Sequence, residues 1–378
     1  MKFLANLFLL LVLLAAGAAA WIWYCVENPY RGFSSEGVFV EIPHGASLRT
    51  AARELEKNGV VRSARVFEIY ARRHPRRSLQ AGEYFFDQAV NTRDVFYKLA
   101  NGDVYSQPFV VREGETIFDI GRDLQAGKFM NADEFVQAAS NPELIHDLAP
   151  RAKTLEGFLF PSTYRLSRHP VAIELTAEMV KKFKEEWARI SAEAVTGEQA
   201  PARPAESVES VVTLASLVER ETPRPEERPL VAGVFENRLR HGIPLQCDPT
   251  VIYALERIAQ YKGVLTGRDL HFDSPYNTYE NRGLPPGPIG NPGEASLRAA
   301  LQPARTDYLY FVANTQGGHF FSATLAEHNK NVTRYRHLLA GEQAEPPAAV
   351  APAVVTPAPG RAPKHKKTHN TPRKGAAR

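Results

Sequence analysis

The sequence predicts an α+β protein with a transmembrane helix at its N-terminus, a mixed body of strands and helices, and a disordered basic tail. Three observations predict it. One apolar run opens the chain, two-residue and 3.6-residue hydrophobic periods alternate through its middle, and Pro, Ala, Lys and Arg take over at its end. At 378 residues, the length suggests about two or three domains. Composition places the boundaries at 1–27 (anchor), 37–106 (a small βα module), 107–340 (the main body, opening on a second βα unit, 109–131) and 341–378 (the tail).

The opening run, Phe3–Val26, has one polar member, Asn6, and is long enough to cross a bilayer as a helix. Trp21, Trp23 and Tyr24 gather at its far end, as an interfacial aromatic belt does. A cleaved signal peptide is the competing reading, with Ala18-Ala19-Ala20 as the cleavage site; the apolar run continues through Trp21–Val26, which favours the anchor. Lys2 precedes the span and Arg31 follows it, a weak orientation signal. With no second span in the sequence, a short inside N-terminus and an exported body are expected. Two cysteines, Cys25 and Cys247, cannot build a disulfide framework. The net charge of +4 is uneven. Pro346–Arg378 carries seven Lys or Arg and no acid, so the remainder holds −3. The basic character belongs to the tail.

Two stretches look alike. Phe39–Val61 and Phe109–Asn131 each read as a short strand, a glycine (Gly45, Gly114) and a short amphipathic helix. Leu48, Ala51 and Leu55 occupy the apolar positions of the first helix; Ile117, Ile120 and Leu124 occupy those of the second. The pair resembles the LysM module, which binds peptidoglycan sugars; two ordinary βα units are the alternative. Ala64–Arg73 and Thr92–Ala100 read as helices and Gly82–Asp87 as a strand between them. Asn131 caps a helix to Ala139, with Glu134 in the capping-box position. Leu155–Leu166 is too broken by Gly and Pro for one helix, and Pro170–Ile190 is a long amphipathic one. Thr196–Pro204 is a polar loop.

The helix Val208–Thr222 carries the first chemistry. At about 100° per residue, Val208, Val212 and Ala215 share a face with Glu219, while Glu221 lies about 200° away from it. An apolar stripe that ends in a carboxyl raises its pKa, and a carboxylic acid still protonated near neutrality can act as a proton donor. The bland alternative pairs Glu219 with an arginine such as Arg220 or Arg238. Glu226–Arg240 is the next helix, ended by Gly242. Asp248-Pro249 opens another, Asp accepting the first N–H groups, and Gln246 just before it has no structural reason to sit among apolar neighbours. Ser274–Gly293 holds Tyr276, Asn277, Thr278 and Tyr279 together, then a Pro/Gly run. Aromatic faces and amides of this kind suit a polyhydroxylated ligand, although Asn, Gly and Pro also favour plain turns. Asn291-Pro292 with Glu294 reads as the cap of a further helix. Tyr308–Ala313 and His319–Ser322 read as a hairpin, and Thr324 with Glu327 opens the last helix, to about Leu339.

No GxSxG, HExxH, P-loop or Cys/His zinc spacing occurs. His319, His328 and His337 are scattered, so no metal and no cofactor are expected.

Taken as a set, LASLVERE (Leu214–Glu221), VFENRL (Val234–Leu239), LQCDPTVIYAL (Leu245–Leu255), YNTY (Tyr276–Tyr279), GLPPGPIGNPG (Gly283–Gly293), YLYFVA and GGHFFS resemble the YceG-like family of endolytic murein transglycosylases. LEGFLFPSTY and the anchor match as well, and the resemblance runs from Met1 to Leu339. It implies a single inner-membrane span, a LysM-like subdomain and a periplasmic catalytic domain whose catalytic glutamate falls on Glu219. It also implies cleavage of the MurNAc-β-1,4-GlcNAc bond with a 1,6-anhydro product, with Gln246, Asp248, Tyr276, Asn277, Thr278 and Tyr279 as candidate substrate contacts. The partners implied are peptidoglycan glycan strands and membrane peptidoglycan synthases such as penicillin-binding proteins, with no nucleic acid. A hydrolytic muramidase and a non-catalytic wall-binding scaffold remain the alternatives. Cys247 departs from the pattern, where a small polar residue such as Thr is expected.

Overall fold

The computed structural model describes residues 2–196 and 207–340. The polar loop after Thr196 and the tail expected to be disordered lie outside them. Contacts divide the chain into two units, Met1–Ala304 and Arg305–Arg378.

The first unit opens with α1 (Lys2–Glu27), a helix long and apolar enough to cross a membrane. Its side chains stand open to the surroundings, Leu14 at 62% and Trp23 at 65%. Only its last turn is covered, where Cys25 and Val26 are buried. β1 (Val38–Ile42), α2 (Leu48–Lys57), α3 (Ala64–Arg72), β2 (Gly82–Phe86) and α4 (Thr92–Ala100) follow. β1 pairs antiparallel with β2, Val40 facing Tyr84. Each helix starts where a polar side chain takes an end N–H group: Ser47 accepts from Thr50, Ser63 from Val66 and Asn91 from Asp94. The apolar spacing read from the sequence buries Leu55, Phe67, Phe96 and Leu99 in one core under the two-stranded sheet.

β3 (Gln107–Val110), α5 (Ile117–Ala126) and α6 (Ala132–Ala139) come next. β3 pairs antiparallel with β4 (Thr163–Leu166), Phe109 facing Tyr164, and α7 (Ala172–Thr196) follows. The two look-alike segments do share one local order. Each strand ends in a glycine with left-handed φ, +74° at Gly45 and +80° at Gly114, where a Cβ would be strained. The second helix adds a reciprocal capping box between Thr116 and Asp119.

α8 (Val208–Glu221) lies among α9 (Arg228–His241), α10 (Asp248–Glu256) and α11 (Glu294–Leu301). All eight residues from Val211 to Val218 are buried, including Thr213 and Ser216. The helix is therefore enclosed all round, and the one-sided stripe expected from the sequence is only part of its buried surface. Gly242 ends α9 in the left-handed conformation, as its position suggested. Three caps differ from expectation. Asn131 caps α6 through the Asp133 N–H, without the capping box expected with Glu134. Cys247 is the residue before α10, and Asp248 is its first helical member. Gly293 is the residue before α11, with no side-chain cap, so Asn291 is free for another task.

In the second unit, β5 (Tyr310–Ala313) and β6 (His319–Ser322) form the expected hairpin. Thr324 and Glu327 form the capping box of α12 (Leu325–Leu339).

Phe96 is fully buried, with its ring against Phe67, Tyr70 and His74. Phe96→Ala is expected to cost about 3–5 kcal/mol by chemical denaturation; a cost below 1 kcal/mol would mean that this core does not contribute to the measured transition.

Candidate active site

α8 ends in two carboxylates on opposite sides. Glu219 has both oxygens engaged: Oε1 accepts from the Arg228 guanidinium at 2.6 Å, and Oε2 accepts from the Gly293 backbone N–H at 2.9 Å. Its side chain is 4% exposed. Burial pushes its pKa up, against the pull of the Gly293 N–H and of Arg228, and the nearby Glu113 adds to the rise. Arg228 also reaches Glu113 at 3.3 Å. The arginines named from the sequence as partners go elsewhere. Arg220 donates to the Ile289 carbonyl and pairs with Glu256, and Arg238 holds the carbonyls of Pro244 and Leu245.

Glu219 lines a cavity of about 490 Å³ together with Arg112, Glu113, Glu115, Asp119 and Arg220. Its walls are mostly charged, and none of Gln246, Asp248 and Tyr276–Tyr279 belongs to them. The expected acid and the expected sugar contacts are thus not brought together there.

Glu221, at the other side of the helix, meets the segment that carries some of them. Glu221 Oε2 accepts from Cys247 Sγ at 3.4 Å. Next to Cys247, the Tyr279 hydroxyl donates to Asp248. Burial, that bond and the charge of Glu221 together push the Tyr279 hydroxyl pKa up. Gln246 is exposed and donates its N–H to the Thr278 carbonyl at 3.1 Å. Its φ is +52°, a left-handed conformation that costs a non-glycine residue about 1 kcal/mol or more. Strain of this kind collects at functional sites, because the surroundings must hold it in place.

Two of the expected substrate contacts are buried. Asn277 is 0% and Thr278 1% exposed. The Asn277 amide donates to the carbonyls of Leu270 and Phe272, and Thr278 Oγ1 accepts from the Cys247 N–H at 3.0 Å. Both side chains spend their hydrogen bonds on shaping the loop. Tyr276 is half-buried, with its ring 5.1 Å from Tyr253 and the Arg257 guanidinium 5.0 Å above it.

Sequence reading missed a buried hub two residues before the Gly293 that meets Glu219. The Asn291 amide nitrogen donates to the Glu115 carbonyl at 2.8 Å and to Glu156 at 3.2 Å, while its oxygen accepts from the N–H groups of Gly157 and Leu159. Glu156 also accepts from the Ile117 N–H and from the Tyr253 hydroxyl at 3.1 Å. Gly290 is needed beside it, since a Cβ there would meet the Gly114 carbonyl oxygen at 2.6 Å. The signal was the glycine and proline density of Gly283–Gly293, which marks close backbone approach as well as turns.

A strained glutamine, tyrosines and two carboxylates thus lie near the end of a buried helix. Comparison with known proteins is specific: the YceG-like family profile matches residues 40–334, and the chain belongs to that family. It is 33% identical over 324 residues to the endolytic murein transglycosylase of Bacillus subtilis (strain 168), covering 82% of this chain and 87% of that one. The endolytic murein transglycosylase of Streptococcus pneumoniae (serotype 2, strain D39) is 28% identical over 88% of this chain and 65% of its own. A crystal structure of a putative yceG-like protein from Listeria monocytogenes matches with a TM-score of 0.51 and 36% identity, over 79% of this chain and 99% of that one.

Asn291→Ala strands the buried N–H groups of Gly157 and Leu159 at about 1–3 kcal/mol each. The variant is expected to lose more than about 2 kcal/mol by denaturant titration, and an unchanged midpoint would remove the hub from this account. Burial pushes the Glu156 pKa from 4.5 up to about 8. A raised folded-state pKa makes its contribution complete below about 4.5 and lost as pH climbs through about 8. The melting temperature of wild type should therefore carry a downward component across that window that Glu156→Gln lacks; parallel curves would contradict it.

Proposed function

We propose that the protein is a membrane-anchored lytic transglycosylase that cuts the MurNAc-β-1,4-GlcNAc bond within peptidoglycan strands and leaves a 1,6-anhydroMurNAc end. On this reading α1 holds it in the inner membrane, residues 37–106 form a LysM-like glycan-holding module in the periplasm, and 107–340 carry out the cleavage. Its role is to end the elongation of nascent strands, beside the membrane synthases that make them. Family membership and the names of the relatives support the activity. The β-α-α-β order of Val38–Phe86 around its own core supports the module.

The chemistry needs one carboxyl. Ordinary glycosidases use two, because water must be activated. Here the muramyl 6-hydroxyl is the nucleophile. A protonated glutamic acid gives its proton to the glycosidic oxygen, and GlcNAc leaves with a free 4-hydroxyl. The 6-oxygen closes on C1, and the carboxylate takes the 6-hydroxyl proton. Water is neither consumed nor released.

Glu219 is the acid on this reading. The single observation that carries the choice is that its carboxyl lines the 490 Å³ cavity while burial raises its pKa, the direction a proton donor needs. Arg228 and the Gly293 N–H hold its two oxygens in place and stabilise the carboxylate left after proton transfer. Gln246, Tyr276 and Tyr279 orient the sugar, and Asn277 and Thr278 hold the loop that presents them. One observation favours a second reading with Glu221 as the acid: it accepts from Cys247, beside the Asp248–Tyr279 pair.

Purified, uncrosslinked glycan strands separate these readings by mass spectrometry of the products. Wild type should yield ends lighter by one water than hydrolysis gives; ends of full mass identify a muramidase, and no new ends a binding scaffold. Glu219→Gln should lose at least about a hundredfold of this activity wherever it remains folded, and should lower stability by about 3 kcal/mol through the weakened Arg228 pair. Glu221→Gln should keep cleavage. The reverse pattern, with a folded Glu219→Gln active and Glu221→Gln inert, moves the acid to Glu221.

A further inference from the structure

The last turn of α1 is docked on the body of the first unit. Cys25 and Val26 pack with Val66, and Ile22 and Tyr70 close the same cluster one turn further along each helix. Thr92 Oγ1 donates to the Cys25 carbonyl at 2.9 Å, and Arg93 pairs with Glu27 at 3.2 Å. At the other end of α3, Arg62 donates to the Pro29 carbonyl and lies 4.9 Å over Tyr24 and 4.7 Å over Tyr30. These contacts fix a direction. α3 begins beside the residues that follow α1 and runs back along it, toward the apolar stretch. At 1.5 Å per residue, Arg73 sits about 5 Å nearer that stretch than Tyr70 does.

What α3 delivers there is Arg72-Arg73-His74-Pro75-Arg76-Arg77, with four exposed arginines in six residues and no acid among them. His74 anchors the turn, Nδ1 on the Tyr70 carbonyl at 2.9 Å and its ring against Tyr70 and Phe96. Arg72 pairs with Glu68, and Arg77 donates to Asn101 and lies over Tyr97. Arg73 and Arg76 make no ion pair among the described residues. Trp21 and Trp23, the aromatic pair expected at a bilayer interface, stand exposed on the last turns of α1. In sequence these arginines lie far beyond the span, outside the reach of any flanking-charge rule; packing alone brings them back to it.

We propose that Arg72, Arg73, Arg76 and Arg77 form a surface that rests on the anionic phospholipid headgroups of the membrane that α1 enters, fixing the tilt of the body above it. Guanidinium groups suit phosphate, and a basic residue close to an anionic leaflet gains about fivefold in binding. The proposal rests on the membrane reading of α1.

The test uses the full chain in nanodiscs of phosphatidylcholine mixed with phosphatidylglycerol, with the lipid that stays bound counted by native mass spectrometry. Wild type should hold phosphatidylglycerol in preference to phosphatidylcholine, and the preference should weaken as salt rises. The four-fold Arg→Gln variant should lose it. Arg73→Gln/Arg76→Gln, which breaks no side-chain hydrogen bond or ion pair among the described residues, should lose about fivefold per residue while keeping the wild-type melt. Equal retention of phosphatidylglycerol by wild type and the double variant overturns the surface and leaves the anchor standing. Displacement of the lipid by inorganic phosphate shows a soluble-anion site and also overturns it. Release of the whole chain from membranes by alkaline carbonate overturns the anchor, and this proposal with it.

Discussion

The amide of Asn291 holds three separate pieces of chain at one point. It ties the Pro/Gly segment before α11 to the turn that opens α5 and to the loop before β4, through Glu115, Glu156, Gly157 and Leu159. All four hydrogen-bonding positions of this buried side chain are used, so it can take one orientation only. Because the backbone of 287–293 is seated this way, the Gly293 N–H meets Glu219 and the Ile289 carbonyl meets Arg220. Both ends of the α8 tip are thereby positioned. The glycines follow from the same constraint, for the segment lies against Gly114 with no room for a side chain at Gly290.

That seating gives the two carboxylates of α8 different environments although they are two residues apart. Glu219 is drawn into the interior and neutralised by an arginine, where losing one partner would leave a buried charge. Glu221 faces Cys247 and the Asp248–Tyr279 pair, on the side where the strained Gln246 is exposed. Helix geometry alone requires the separation, since residues two apart point to nearly opposite sides. What each side meets depends on the neighbours.

A similar division holds at the membrane end. An apolar helix of this length needs no tertiary information to be recognised. Its junction with the body is another matter, because buried contacts at Cys25 and Val26, a hydrogen bond from Thr92 and the stacked Arg62 replace a flexible spacer. The anchor and the body therefore share one orientation, and groups on α3 inherit a height relative to the span.

Much of this was legible in the sequence. The apolar run, the strand–glycine–helix order at Gly45 and Gly114, the Gly242 stop, the hairpin at 310–322 and the Thr324 capping box are set by local patterns of side-chain period and backbone freedom, and each is found where those patterns put it. The motif set also pointed to the YceG-like family, to which the chain belongs. Local patterns could not say which arginine meets Glu219, since Arg228 reaches it only after a turn of chain reverses α9 against α8. Nor could they show that Asn277 and Thr278 face inward, or that Asn291 serves a hub rather than a cap. Polar residues look the same in a sequence whether their partner is a ligand or a distant carbonyl. Only the tertiary structure supplies those carbonyls, and so only it decides which polar groups are already satisfied and which are left to meet a substrate.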